Sequence, residues 1–109
     1  MPKPVFTDNE DHGIELPDAA AMTKRYRSRH PNGTKGGFFG RAAVEEILGQ
    51  PDVVGIRYYF AYDADSDVLR VILVGVRENA DDVYTGALAE ISVVCPDVCG
   101  VNNPLNSDV

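Results

Sequence analysis

The sequence predicts an α+β fold in which two N-terminal helices precede a small antiparallel meander of about three strands and an irregular C-terminal tail. Residues 53–62 and 68–77 are dense in β-branched and aromatic side chains and flank a loop of alternating aspartates, which is the pattern of a β-hairpin. Residues 17–29 and 41–48 carry apolar side chains at helical spacing. Residues 87–94 place Ala87, Ala89, Ile91 and Val93 on one side by alternation and read as a third strand, mixed enough on its other side for an edge position.

A chain of 109 residues makes one domain, and folding buries roughly 65% of the surface that its unfolded form exposes. We divide it into a mobile N-terminal arm over residues 1–15, a single α+β domain over 16–101 and a tail over 102–109. Ten basic against seventeen acidic residues leave a net charge of −7, which opposes attraction to nucleic acid and to anionic membrane surfaces. The imbalance is uneven: residues 24–29 are strongly basic, and no Lys or Arg follows Arg77. No apolar run reaches membrane-spanning length and the first residues lack the layout of a secretory signal, so the expected location is cytoplasmic.

Pro17 suits the first turn of a helix and Asp18 its positive end. Ala19, Met22 and Tyr26 form one stripe, while Lys24, Arg25, Arg27 and Arg29 lie elsewhere and late, complementing the helix dipole; phosphate or nucleic-acid contact is the lesser reading of that cluster. His30-Pro31 ends the helix. Residues 32–40, NGTKGGFFG, lack the Walker spacing and are expected to form a tight turn that lowers Phe38 and Phe39 into the core. Ala43, Val44, Ile47 and Leu48 then share a helix face, with Gly49 suited to a left-handed cap and Pro51 forbidding continuation.

In the hairpin, Val54, Ile56, Tyr58, Phe60 and Tyr62 share one face, and Val53, Tyr59 and Ala61 share the other with Arg57. Neither face is polar, and the partner strand repeats the situation. The connecting loop, residues 63–67, resembles the start of a calcium loop, but Val68 and Val74 stand where that pattern needs Gly and Glu, so it reads as a solvated turn.

Cys95 and Cys99 are spaced C-x3-C, which is neither the C-x2-C redox motif nor a zinc knuckle. Three readings compete: thiols folded back in a turn or joined locally, half of a metal site for which zinc would need further ligands from His12, His30 or a second subunit, and a redox switch. Cytoplasmic glutathione argues against a permanent bridge, and the acidic surroundings work against a low-pKa thiolate.

The succession LPDAAAMTKRYR, KGGFFGRAAVEEILGQPDVVGIRYYFAYD, LVGV and CPDVCGVNNPLNS, over residues 16–107, resembles a family of small uncharacterised bacterial proteins sharing GFFG, VGIR, LVGV and terminal CPxxCGxxNxLNS motifs. The resemblance implies that the cysteine segment belongs to the family architecture, although Asp97 departs from its more apolar pattern. It implies no activity.

His12 and His30 are the only histidines and neither sits in a catalytic motif, so the chain reads as an enzyme only weakly. The expected function is a non-catalytic interaction module that self-associates as a homodimer, because the hairpin is apolar on both sides and the two helices cover one. Tyr58, Tyr59 and Tyr62 are the expected anchors. The alternative is a thiol-dependent protein using Cys95 and Cys99 for metal binding or redox switching. No small-molecule ligand and no obligatory cofactor follow from the residues.

Overall fold

The computed structural model describes residues 5–90, 93–96 and 98–109. In chain order its elements are α1 (Leu16–Arg29), β1 (Gly36–Phe38), α2 (Arg41–Leu48), β2 (Val53–Tyr62), β3 (Leu69–Arg77), β4 (Leu88–Glu90) and β5 (Val93–Cys95). The α+β class therefore holds, with a three-stranded antiparallel meander β2-β3-β4 and a separate two-stranded sheet β1-β5. Two compact units result: one is built from the described parts of Met1–Asp11 and Phe39–Ile91, the other from those of His12–Phe38 and Ser92–Val109.

In the first unit, α2 packs on all three strands of the meander. Its Ile47 is 1% exposed, and Val74 and Val76 of β3 are the other fully buried apolar side chains among the described residues. The helix ends as the sequence suggests, but not by the expected cap. Gly49 stays right-handed at φ −78°, its N–H bonding the carbonyl of Glu45, and the left-handed residue is Asp52 at φ 66°. Gln50, Pro51, Asp52 and Val53 form a turn closed by the Val53 N–H on the Gln50 carbonyl, with proline at its second position and the positive φ at its third.

The Gln50 side chain links two elements. Its Nε2 donates to the Ile47 carbonyl at 2.9 Å, and its Oε1 accepts from the Ala87 N–H at 2.9 Å. Room for it comes from Gly86, where an added Cβ would lie 2.0 Å from that Oε1.

At the far end of β3, the Phe6 N–H bonds the Glu78 carbonyl, and the Phe6 ring lies 5.8 Å from the Arg57 guanidinium. Residues 1–4 of the expected arm lie outside the described residues. The turn after β3 puts Ala80 at φ 75°. A left-handed alanine costs about 1 kcal/mol that glycine avoids. Ala80→Gly should therefore raise stability by about that amount, read as a higher urea midpoint at unchanged slope.

In the second unit, β1 and β5 pair antiparallel with Gly36 opposite Cys95 and Phe38 opposite Val93. A strand thus lies between the helices, and the expected third strand is divided: residues 88–90 join the meander, residues 93–95 join β1, and Ile91 and Ser92 lie outside the described residues. Alternation reports that a segment is extended, not which neighbour it pairs with. Phe38 is correspondingly exposed in β1 rather than lowered into a core; only Phe39 is half-buried.

The last residues are neither helix nor strand, but their polar groups are engaged. The Asn103 side-chain oxygen accepts from the Leu105 N–H at 2.8 Å, and the Asn106 side-chain oxygen accepts from the Asn103 N–H at 2.9 Å. Arg27 of α1 then donates to the Leu105 carbonyl at 2.8 Å and to Asp108 at 2.7 Å. This turns one cation of the basic helix inward.

Candidate interaction surface

β2 is the outer strand of its sheet, bonded to β3 on one side, and among the described residues no strand pairs with its other edge. The register decides which of its groups are free. The Asp63 N–H bonds the Val68 carbonyl, so the bonded pairs run 61↔70, 59↔72 and 57↔74, and the intervening residues turn outward. The N–H and C=O of Ile56, Tyr58, Phe60 and Tyr62 therefore point away from β3.

The same four residues share one face of the sheet. There Tyr58 is 60%, Phe60 70% and Tyr62 72% exposed, and the rings of Tyr58 and Phe60 meet edge-on at 5.6 Å between centroids. Natural edges are commonly guarded by lysine, proline or a bulge. β2 has neither residue, and its one irregularity, between Val53 and Gly55, lies at the end away from the hairpin tip.

Tyr59 points to the opposite face and is 48% exposed. Its hydroxyl donates to Asp82, whose other carboxylate oxygen accepts from Arg57; Arg57 also donates to the Ala80 carbonyl at 3.1 Å. The hydrogen bond to Asp82, helped by partial burial and the carboxylate charge, raises the Tyr59 phenol above its ordinary value, with Arg57 opposing. Of the expected anchors, Tyr58 and Tyr62 thus lie together and Tyr59 lies behind them. Phe60 completes the exposed row. Its place was available from alternation, but a phenylalanine in a strand dense in apolar residues reads more readily as core.

At the tip, Asp63 accepts from Arg70 at 3.0 Å and from Ser66 at 3.3 Å. The Arg70 hydrogen bond, against partial desolvation, holds Asp63 below the usual carboxylate range. Residues 64–67 are exposed, as a solvated turn requires.

In the second unit, Cys95 and Cys99 are joined by a disulfide with their Cα atoms 4.9 Å apart, inside the usual range for such a bond. The turn, which also bonds the Val98 N–H to the Val94 carbonyl at 3.0 Å, brings the two positions together despite the expectation drawn from glutathione. Asp97 lies outside the described residues. No three His, Cys, Asp or Glu side chains converge as a metal site would require, among the described residues. A loop this short contributes about 2 kcal/mol by chain-entropy reasoning. Replacing both cysteines by serine should therefore destabilise β1-β5 by about 2 kcal/mol, measured as faster amide exchange at Lys35, whose N–H bonds the Cys95 carbonyl.

The basic cluster of α1 is partly spent inside the unit, with Arg27 holding Asp108 and its own side chain 13% exposed. The Arg27 hydrogen bond, joined by the charges of Lys24, Arg27 and Lys35 against partial desolvation, keeps Asp108 below the usual carboxylate range. No described helix is long and apolar enough to cross a membrane. No family model, curated protein or solved structure matches the chain.

Proposed function

We propose that the protein is a non-catalytic interaction module that self-associates as a homodimer through its β2-β3 hairpin. The observation that carries this reading is the coincidence, in Tyr58, Phe60 and Tyr62, of an exposed aromatic row with a strand edge that no described strand pairs. Single exposed apolar residues are ordinary on protein surfaces. A contiguous row on an unguarded edge is the kind of patch that marks association. Light scattering at micromolar concentration should return twice the chain mass, and a monomer persisting at high concentration would remove the reading. Phe60→Ser should weaken the dimer about 30-fold, corresponding to about 2 kcal/mol for a well-buried aromatic anchor, without changing the circular dichroism of the monomer.

The Cys95–Cys99 disulfide favours a second reading, a thiol-dependent protein. A dithiol reductant would transfer two electrons and two protons to the bridge, forming two thiols and leaving the reductant as a disulfide; the reduced pair would then be available to a metal such as zinc. Native mass spectrometry beside a thiol titration separates the readings. If reduction changes neither assembly nor stability and no metal mass appears, this second reading fails.

A further inference from the structure

Building on the self-association just proposed, we infer that two copies join edge to edge, β2 against β2 in antiparallel sense, with Tyr59 on the two-fold axis. The two three-stranded meanders then become one continuous sheet. The outward groups of Ile56, Tyr58, Phe60 and Tyr62 make the edge self-complementary, since each of these residues offers both a donor and an acceptor on the same side. Centring on Tyr59 is the register that uses all four: Ile56 faces Tyr62 of the second copy, and Tyr58 faces its Phe60. A slip of two residues in either direction leaves the outward groups of Ile56 or of Tyr62 without a partner from this set. Directly opposed residues project to the same face, so the exposed row of one copy continues into that of the other.

Charge selects the antiparallel sense. Asp63, Asp65 and Asp67 sit at the hairpin tip. In this register Asp63 lies beside Gly55 of the second copy, which sets the two Asp63 residues about 27 Å apart along the strands. That is several times the ~8 Å screening length at physiological ionic strength. A parallel pairing would bring the aspartates of both tips together. At ~200 Å² per aromatic side chain, Tyr58, Tyr59, Phe60 and Tyr62 at 60%, 48%, 70% and 72% exposure present ~500 Å² before any backbone is counted. A standard interface takes ~800 Å² per partner.

The experiment is amide hydrogen exchange on the unaltered protein, compared between dilute and concentrated solution and followed by cysteine cross-linking. The N–H groups of Tyr58 and Phe60 should slow at least tenfold on concentration, because edge pairing bonds them. Packing of the aromatic faces alone would leave them exchanging as before. Under mild oxidation Tyr59→Cys should cross-link to itself, its Cα pair lying ~4.5 Å apart across the axis. Tyr58→Cys should cross-link to Phe60→Cys when the two are mixed, and Phe60→Cys alone should not. A dimer in which the edge amides stay fast overturns the edge-to-edge arrangement and leaves self-association standing, and Phe60→Cys pairing with itself overturns the register centred on Tyr59. A monomer with no concentration dependence overturns both.

Discussion

Ile47→Ala is expected to lose about 3 kcal/mol of stability, the largest effect of any single truncation in the meander unit. Ile47 is the one fully buried residue of α2, and truncating a buried isoleucine removes its transfer energy and leaves a void that the neighbours fill only in part. An isolated helix of eight residues has no stability of its own, so α2 depends on this contact to remain docked. A chain of 109 residues has a total stability of about 5–15 kcal/mol. A loss of this size therefore moves the urea midpoint far to the left and brings the transition close to ambient conditions. Leu48→Ala, on the same helix but 45% exposed, should cost much less. Equal losses for the two would show that α2 does not dock through Ile47.

Gly75→Val should cost about 3 kcal/mol by the opposite error. By strand propensity alone, valine is favoured over glycine by up to ~1 kcal/mol. Gly75 lies buried opposite Ile56, however, and its added Cβ would meet Val53 Cγ2 at 2.9 Å and Gln50 Nε2 at 3.1 Å. The two branches of valine would press further into both. Overpacking of this kind outweighs the propensity gain. The measurement is the urea midpoint beside that of Gly75→Ala, which should fall between the wild type and the valine variant. A valine variant as stable as the wild type would show that Val53 and Gln50 move aside freely.

The elements most legible in the sequence are those whose signals are local and agree with each other. The hairpin announces itself because two long runs of β-branched and aromatic residues flank a loop of turn formers, and register 62↔69 follows from that loop. Helix α2 has a strong apolar face and a proline that stops it. What alternation could not decide was partnership: residues 87–94 read as one strand because nothing in their pattern reports that their two ends join different sheets. β1 was invisible for a related reason, since Gly36 and Gly37 carry no side chain to alternate and glycine ordinarily signals a turn.

At the surface proposed for association, the tyrosines were legible as amphipathic residues suited to an interface. Phe60 was not, because its exposure is a property of packing rather than of composition. The left-handed position after α2 was misplaced by three residues, Gly49 being the expected site and Asp52 the actual one. Pro51 accounts for the difference: it sets the second position of the following turn, and the positive φ falls on the residue after it.

Gln50 also has a bearing on how the chain comes off a ribosome. Its carboxamide joins the Ile47 carbonyl to the Ala87 N–H, a partner 37 positions further along. Helix and hairpin emerge well before that partner does, and until Ala87 has left the exit tunnel the acceptor end of the amide has only water to bond. The meander's closing step thus belongs to a late moment of synthesis, and until then the nascent hairpin keeps open the edge of β3 with which β4 will pair.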